Sequence, residues 1–134
     1  MKKVKVLNLK SISDERGNLV PIEACEDIPF EIKRVYYITN VPEGSVRGCH
    51  AHKFLKQVLI CLNGSVKIRL DNGKEKETFI LDNNYTAIYA ESLIWCEMFD
   101  FTNNTVLLVL ASEHYDKLDY ISNYEEFICL ADEV

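Results

Sequence analysis

Val66-Lys67-Ile68-Arg69-Leu70-Asp71-Asn72-Gly73-Lys74 alternates apolar and charged side chains and then reaches an Asn-Gly pair. Side chains along a strand point to opposite faces in turn, so this segment reads as a strand with one face buried and the other in solvent. Asn-Gly accepts the positive φ of a tight turn, and the chain is expected to fold back over Glu75 to Leu81 as the second arm of a hairpin. Asn63-Gly64 marks another such turn immediately upstream.

Working outward from this hairpin, short apolar runs recur with turn residues between them. Strands are expected at Lys3 to Leu7, Leu19 to Glu23, Ile32 to Asn40, Arg47 to His52, Gln57 to Asn63, Ser65 to Asp71, Thr86 to Ala90, Ile94 to Phe99 and Val106 to Ala111. That spacing suits an all-β sandwich or barrel better than alternating strands and helices. Only the C-terminal stretch reads as helical. From Asp116 to Leu130 the residues Leu118, Ile121, Tyr124, Phe127 and Ile128 recur at spacings near three and four, the pattern of a helix packed on a sheet. With no linker, repeat or low-complexity segment, residues 1–134 are read as one domain.

Composition narrows the function classes. The chain has 134 residues, 48% of them hydrophobic and 27% charged, which is the profile of a globular protein with a real core. A formal net charge of −6, with no basic run longer than Lys2-Lys3, opposes a nucleic-acid partner. The apolar runs are too short for a membrane span, and Asn8 and Lys10 interrupt any signal-like start. Cys25, Cys49, Cys61, Cys96 and Cys129 lack the paired spacings of zinc or thioredoxin-type sites and are read as reduced thiols in a cytoplasm.

Chemistry concentrates in Arg47-Gly48-Cys49-His50-Ala51-His52-Lys53. On a strand His50 and His52 project from one face while Cys49, Ala51 and Lys53 project from the other. An isolated pair of this kind is more often structural than catalytic, but its surroundings are specific: Gly44, five residues, His50, one residue, His52, four residues, Gln57, six residues, Gly64. This resembles the first motif of the cupin superfamily, whose pattern carries Glu at the place of Gln57. The resemblance implies a cupin-type double-stranded β-helix, or jelly roll, here with a short C-terminal helix. The second cupin motif is almost absent, and Cys96 takes the position of its metal-binding histidine. Two imidazoles, an amide and a thiol make a poor metal cage, so no metal and no other cofactor is expected.

Over nearly the whole chain the resemblance is to a narrower family. Val41-Pro42-Glu43-Gly44, Arg47 to Lys53, Leu55-Lys56-Gln57-Val58-Leu59-Ile60, Ile94-Trp95-Cys96-Glu97-Met98-Phe99 and Val106 to Ser112 look like the nucleotide-sugar 3,4-ketoisomerases, and Asp119-Tyr120-Ile121 and Tyr124-Glu125-Glu126-Phe127 fit its C-terminal segment. These are small metal-independent cupins acting on dTDP-4-keto-6-deoxy-glucose, and the family implies an intertwined homodimer with exchanged N-terminal strands.

Moving a ketone from carbon 4 to carbon 3 removes a proton at carbon 3, passes through an enediol and returns a proton at carbon 4. Histidine, with an ordinary pKa of ~6.5, suits both transfers. By resemblance His52 is the leading base and His50 the partner that shuttles a proton or polarises the carbonyl oxygens. Tyr37, Arg16 and Gln57 are candidates for stabilising the developing oxyanion. Tyr36 and Tyr37 must face opposite sides of their strand, and the resemblance favours Tyr37 in the pocket. Arg16, in a turn, is either solvated or reaches a neighbouring subunit's sugar. Arg47 offers a bidentate fork to the two phosphates and Lys53 a point charge. Cys96 shares its strand face with Met98 and is expected beside the histidines, whereas Trp95 and Glu97 face the other way. A sugar-nucleotide-binding cupin without activity, and a metal-dependent enzyme using His50, His52 and Cys96, are the competing readings.

Overall fold

The computed structural model describes residues 1–133. Its strands are β1 (Val4–Asn8), β2 (Ile12–Asp14), β3 (Gly17–Leu19), β4 (Arg34–Ile38), β5 (Arg47–His52), β6 (Gln57–Asn63), β7 (Val66–Asp71), β8 (Lys76–Leu81), β9 (Thr86–Ala90), β10 (Trp95–Phe99), β11 (Val106–Ala111) and β12 (Tyr120–Ile121), followed by helix α1 (Tyr124–Asp132). The hairpin read from the sequence forms as β7 and β8, with Val66 opposite Leu81 and Asp71 opposite Lys76. Asn72 holds the turn by accepting from the backbone amides of Lys74 and Glu75.

Ten strands make two five-stranded antiparallel sheets, ordered β1-β9-β6-β11-β4 and β12-β5-β10-β7-β8. From β4 to β7 the chain alternates between the two sheets, and it alternates again from β8 to β11, the winding of a jelly roll. Between them lies the main core, to which β6, β9 and β11 contribute Leu59, Ile88, Leu107 and Val109 and β7 and β10 contribute Ile68, Leu70 and Met98.

Both sheets also bury much of their outer faces. Val58, Ile60 and Leu110 on the back of the first sheet are covered by Leu9, Ile28 and Phe30. Phe127 of α1 closes the back of the second sheet over Ala51, Trp95 and Ile121. A central strand buried on both faces reads as a continuous apolar run, which is why β6 contains Val58-Leu59-Ile60-Cys61 without alternation.

Two expectations are corrected. Leu19 to Glu23 is not a strand: β3 ends at Leu19, and the following segment, with Pro21 and Pro29 lacking amide donors, crosses the sheet as irregular chain and drops Ile28 and Phe30 onto it. The helix does not begin at Asp116. The Asp116 side chain accepts from the amide of Leu118 to cap a single 3₁₀ turn, Tyr120 and Ile121 then pair with His52 and Ala51, and α1 starts only where Asn123 accepts from the amide of Glu126. Leu118, placed on the apolar stripe by its spacing, is exposed. Strand β1 forms an edge of the first sheet and pairs with β9, with Val4 opposite Ala90 and Asn8 opposite Thr86.

Candidate active site

One end of the inter-sheet space opens as a cleft of about 420 Å³. Arg34, Tyr36 and Ile38 enter it from β4, Arg47, Gly48 and His50 from β5, Met98 from β10, and Tyr115 and Tyr120 from the segment leading to α1. Strand parity alone would send Arg47 to the face opposite His50. A bulge prevents this: Gly48 and Cys49 both take positive φ, and the β5–β10 register slips between Cys96 and Glu97. The bulge turns Arg47 back into the cleft. Only glycine fits at position 48, because a Cβ there would lie 2.8 Å from the backbone oxygen of Cys96.

At the floor the rings of His50 and His52 meet edge-on with centroids 4.9 Å apart. Tyr120 packs against both, at 4.9 Å from His50 and 4.5 Å from His52. His50 lines the cleft; His52 lies one layer deeper, 3% exposed, with neither ring nitrogen hydrogen-bonded. Burial pushes the His52 imidazolium down to about 3, helped by the charges of His50 and Arg34, and burial lowers His50 as well. Both rings are therefore neutral near pH 7 and able to accept a proton. His52 Nδ1 lies 3.4 Å from a carboxylate oxygen of Asp119. That contact lacks hydrogen-bond geometry, and desolvation outweighs it in setting the charge of the ring.

Arg34 was not singled out by the sequence. Its Nη2 donates to the Tyr120 hydroxyl at 3.2 Å, and its guanidinium lies over the rings of Tyr36 and Tyr115, at 4.9 and 5.6 Å from their centroids. Its Nε is buried without a partner, a donor left free at the cleft. Burial and the neighbouring Tyr120 push the Tyr36 phenol up to about 12, so it stays protonated and can donate.

Several expected residues stand elsewhere. Tyr37 is 68% exposed on the outer face of β4, because its neighbour Tyr36 takes the inward position opposite Val109. Lys53 points into solvent, as parity requires for a residue following His52. Arg16 sits at the tip of the β2–β3 hairpin, paired with Asp14 at 2.7 Å and away from the cleft. Gln57 and Cys96 are buried on the inward faces of β6 and β10 and do not line the cleft. Cys96 lies opposite His50, as its spacing implied, but burial holds its thiol up at about 12. A neutral thiol, an amide and a third histidine, His114, on a different surface do not fit a cupin metal. Among the described residues no cluster of three or more His, Cys, Asp or Glu side chains is placed to hold one.

The family described as FdtA, WxcM-like, C-terminal matches residues 2–132. The chain belongs to this family. This WxcM-like protein is 49% identical over 123 residues to the TDP-4-oxo-6-deoxy-alpha-D-glucose-3,4-oxoisomerase of Aneurinibacillus thermoaerophilus, covering 92% of this chain and 88% of that one. It is 53% identical to QdtA, a sugar 3,4-ketoisomerase of Thermoanaerobacterium thermosaccharolyticum whose crystal structure contains TDP, with a TM-score of 0.97 over 99% of this chain and 97% of that one. The WlaRB TDP-quinovose 3,4-ketoisomerase of Campylobacter jejuni is 46% identical, with a TM-score of 0.93 over 96% of this chain and 99% of that one.

Within this WxcM-like site the sequence reading missed Arg34, Tyr36, Asp119, Tyr115 and Tyr120. The signals were faint. Arg34 is a charge at the head of an otherwise apolar strand, and Asp119-Tyr120 was read as part of a helix.

Proposed function

We propose that this single cupin domain is a metal-independent isomerase that moves the ketone of dTDP-4-keto-6-deoxy-glucose from carbon 4 to carbon 3, serving the synthesis of dTDP-3-amino-3,6-dideoxyhexoses. The observation that carries the reading is the pair of neutral histidines in contact at the floor of a cleft that also holds two arginines. The similarity to proteins named for this activity supports it.

In this reading His50, which faces the open cleft, takes the carbon 3 proton or polarises the carbonyl oxygen and relays the proton to His52, the buried base in contact behind it. The electron pair of the broken carbon–hydrogen bond forms the carbon 3–carbon 4 double bond of the enediolate, the carbon 4 oxygen takes up a proton while the carbon 3 hydroxyl gives up its own, and return of the abstracted proton or its solvent-exchanged equivalent to carbon 4 leaves the ketone at carbon 3. Arg34, with Nε unsatisfied and Tyr36 beside it, stabilises the oxyanion; Tyr36 takes the role the sequence gave to Tyr37. Arg47 binds the diphosphate. Gln57 and Cys96 shape the cleft from beneath rather than touching phosphate or metal.

The active unit is a homodimer. The β2–β3 hairpin leaves Ile12 and Leu19 exposed, and a lone hairpin is marginally stable in water. This hairpin, rather than β1, is the arm that crosses to a partner and carries Arg16 to the neighbouring sugar. Five unpaired cysteines suit a reducing cytoplasm, and among the described residues no helix is long and apolar enough to cross a membrane.

The test is a proton NMR time course of dTDP-4-keto-6-deoxy-glucose in deuterated buffer with chelator. The intact protein is expected to give a 3-keto sugar with deuterium at carbon 4. Loss of one oxyanion donor in Arg34→Leu is expected to slow turnover by ~10²–10³, and His52→Asn to abolish it. TDP binding with no exchange at carbon 3 would leave a ligand-binding cupin in place of an enzyme.

A further inference from the structure

The polar atoms of His52 are poorly served for a ring 3% exposed, since Nδ1 and Nε2 are both buried without a hydrogen bond. The carboxylate nearest Nδ1 is fixed from several sides. Asp119 is itself 7% exposed; its Oδ1 accepts from the Phe54 amide at 2.8 Å and its Oδ2 from the Leu55 amide at 3.3 Å. Its backbone oxygen accepts from the amide of Lys53 at 2.9 Å, and its own amide donates to Asp116 at 3.0 Å. The next residue, Tyr120, pairs in register with His52. Asp119 is thus stitched to the segment on either side of the base, and its Oδ2 stands 3.4 Å from Nδ1.

We infer that Asp119 is the positioning residue of the site, holding the neutral His52 ring in its Nδ1–H form so that Nε2 keeps the lone pair that accepts a proton. A carboxylate accepts but does not donate, so the tautomer with hydrogen on Nδ1 is the one that satisfies both groups. Closing 3.4 Å to a normal hydrogen bond takes a few tenths of an ångström, the scale on which catalytic contacts tighten when substrate binds. When Nε2 takes the substrate proton, the ring becomes a cation in surroundings that strongly disfavour one. The groups facing it are the ring of His50 from β5, Tyr120 from β12 and the guanidinium of Arg34 from β4. Asp119 is the negative charge set against them.

Asp119 also anchors the Phe54–Leu55 turn, so loss of activity alone does not separate positioning from structure. The tautomer does. The experiment is a long-range proton–nitrogen correlation spectrum of histidine-labelled protein at neutral pH without substrate, with His52 assigned through His52→Asn. Wild type is expected to show His52 as Nδ1–H. In Asp119→Asn the amide oxygen keeps the shorter bond from Phe54, the NH₂ takes the place of Oδ2 with loss of the longer bond from Leu55, and with a donor now facing Nδ1 the ring is expected to switch to Nε2–H. An Nε2–H ring in wild type overturns the inference even where the variant does not fold, and so does an unchanged tautomer in a folded variant.

The rate consequence rests on the ketoisomerase reading. For a folded Asp119→Asn, kcat is expected to fall ~10² or more with KM changed only a few-fold, and an unchanged kcat overturns the inference. An inactive wild type with the expected pair of tautomers would instead overturn the ketoisomerase reading and leave the positioning role standing.

Discussion

Lowering the pH should destabilise this protein through His52 in a way its removal reveals. A buried ring whose folded pKa lies below its unfolded value binds fewer protons in the native state, so its contribution is complete above the unfolded pKa and is lost as pH falls toward the folded one. For His52 those values are 6.5 and about 3, and the ring is 3% exposed, so solvent does not screen the effect away. Integrating the linkage relation from about pH 7.5 to about pH 5 gives a loss of about 2 kcal/mol from this residue, because nearly the whole unfolded population is protonated at the lower pH while the native ring stays neutral. Urea unfolding at both pH values and one protein concentration measures it; with a slope near ~1.5 kcal/mol/M the wild-type midpoint drops by about 1 M more than that of His52→Asn. His50 and the carboxylates titrate in both proteins and cancel. Equal losses in wild type and variant would refute the reasoning, since they would mean that His52 charges at no cost and is not the desolvated base described here.

Other consequences are as direct. Gly48→Ala puts a Cβ 2.8 Å from the backbone oxygen of Cys96 at a φ of +84°, so the bulge must open; stability is expected to fall by ~1–3 kcal/mol, and TDP affinity to weaken as Arg47 loses its aim, with unchanged calorimetric binding counting against the bulge as the device that orients it. Thiol titration of the native protein is expected to show Cys25, Cys49 and Cys129 reacting quickly and Cys61 and Cys96 only after unfolding, because the latter two are buried. Rapid reaction of all five would show that the inter-sheet core is open.

Much of the fold was legible because local rules and burial agreed. Residues 47–52, 57–63, 86–90 and 106–111 were delimited correctly, since the strands there end at Asn-Gly, Ser or a charge that does not continue a buried strand. The histidine pair was legible for the same reason: a two-residue spacing on a strand has a single geometric meaning. Where competing signals overlapped, the reading failed. Tyr36 and Tyr37 are identical in type, and which one faces inward depends on the phase of β4 against β11, a contact between residues about seventy positions apart. The C-terminal periodicity was real only from Tyr124 onward; Asp116 and Asn123 each capped a separate turn, and Tyr120-Ile121 had a sheet edge available that outweighed helix propensity.

By itself, then, the sequence determined the all-β architecture, the placement of two histidines on one strand face and the poor metal-ligating power of Gln57 and Cys96, because each follows from side-chain type and spacing along a few residues. Tertiary structure decided the rest of the cleft. Arg47 reaches it through a bulge that parity forbids, Arg34 and Tyr36 arrive from the opposite sheet, and Asp119 and Tyr120 return from the far end of the chain to meet His52. Burial of His52, and with it a neutral ring near pH 7, is likewise a property of the assembled sheets: desolvation depends on every element packed around a group and is written in no short stretch of residues.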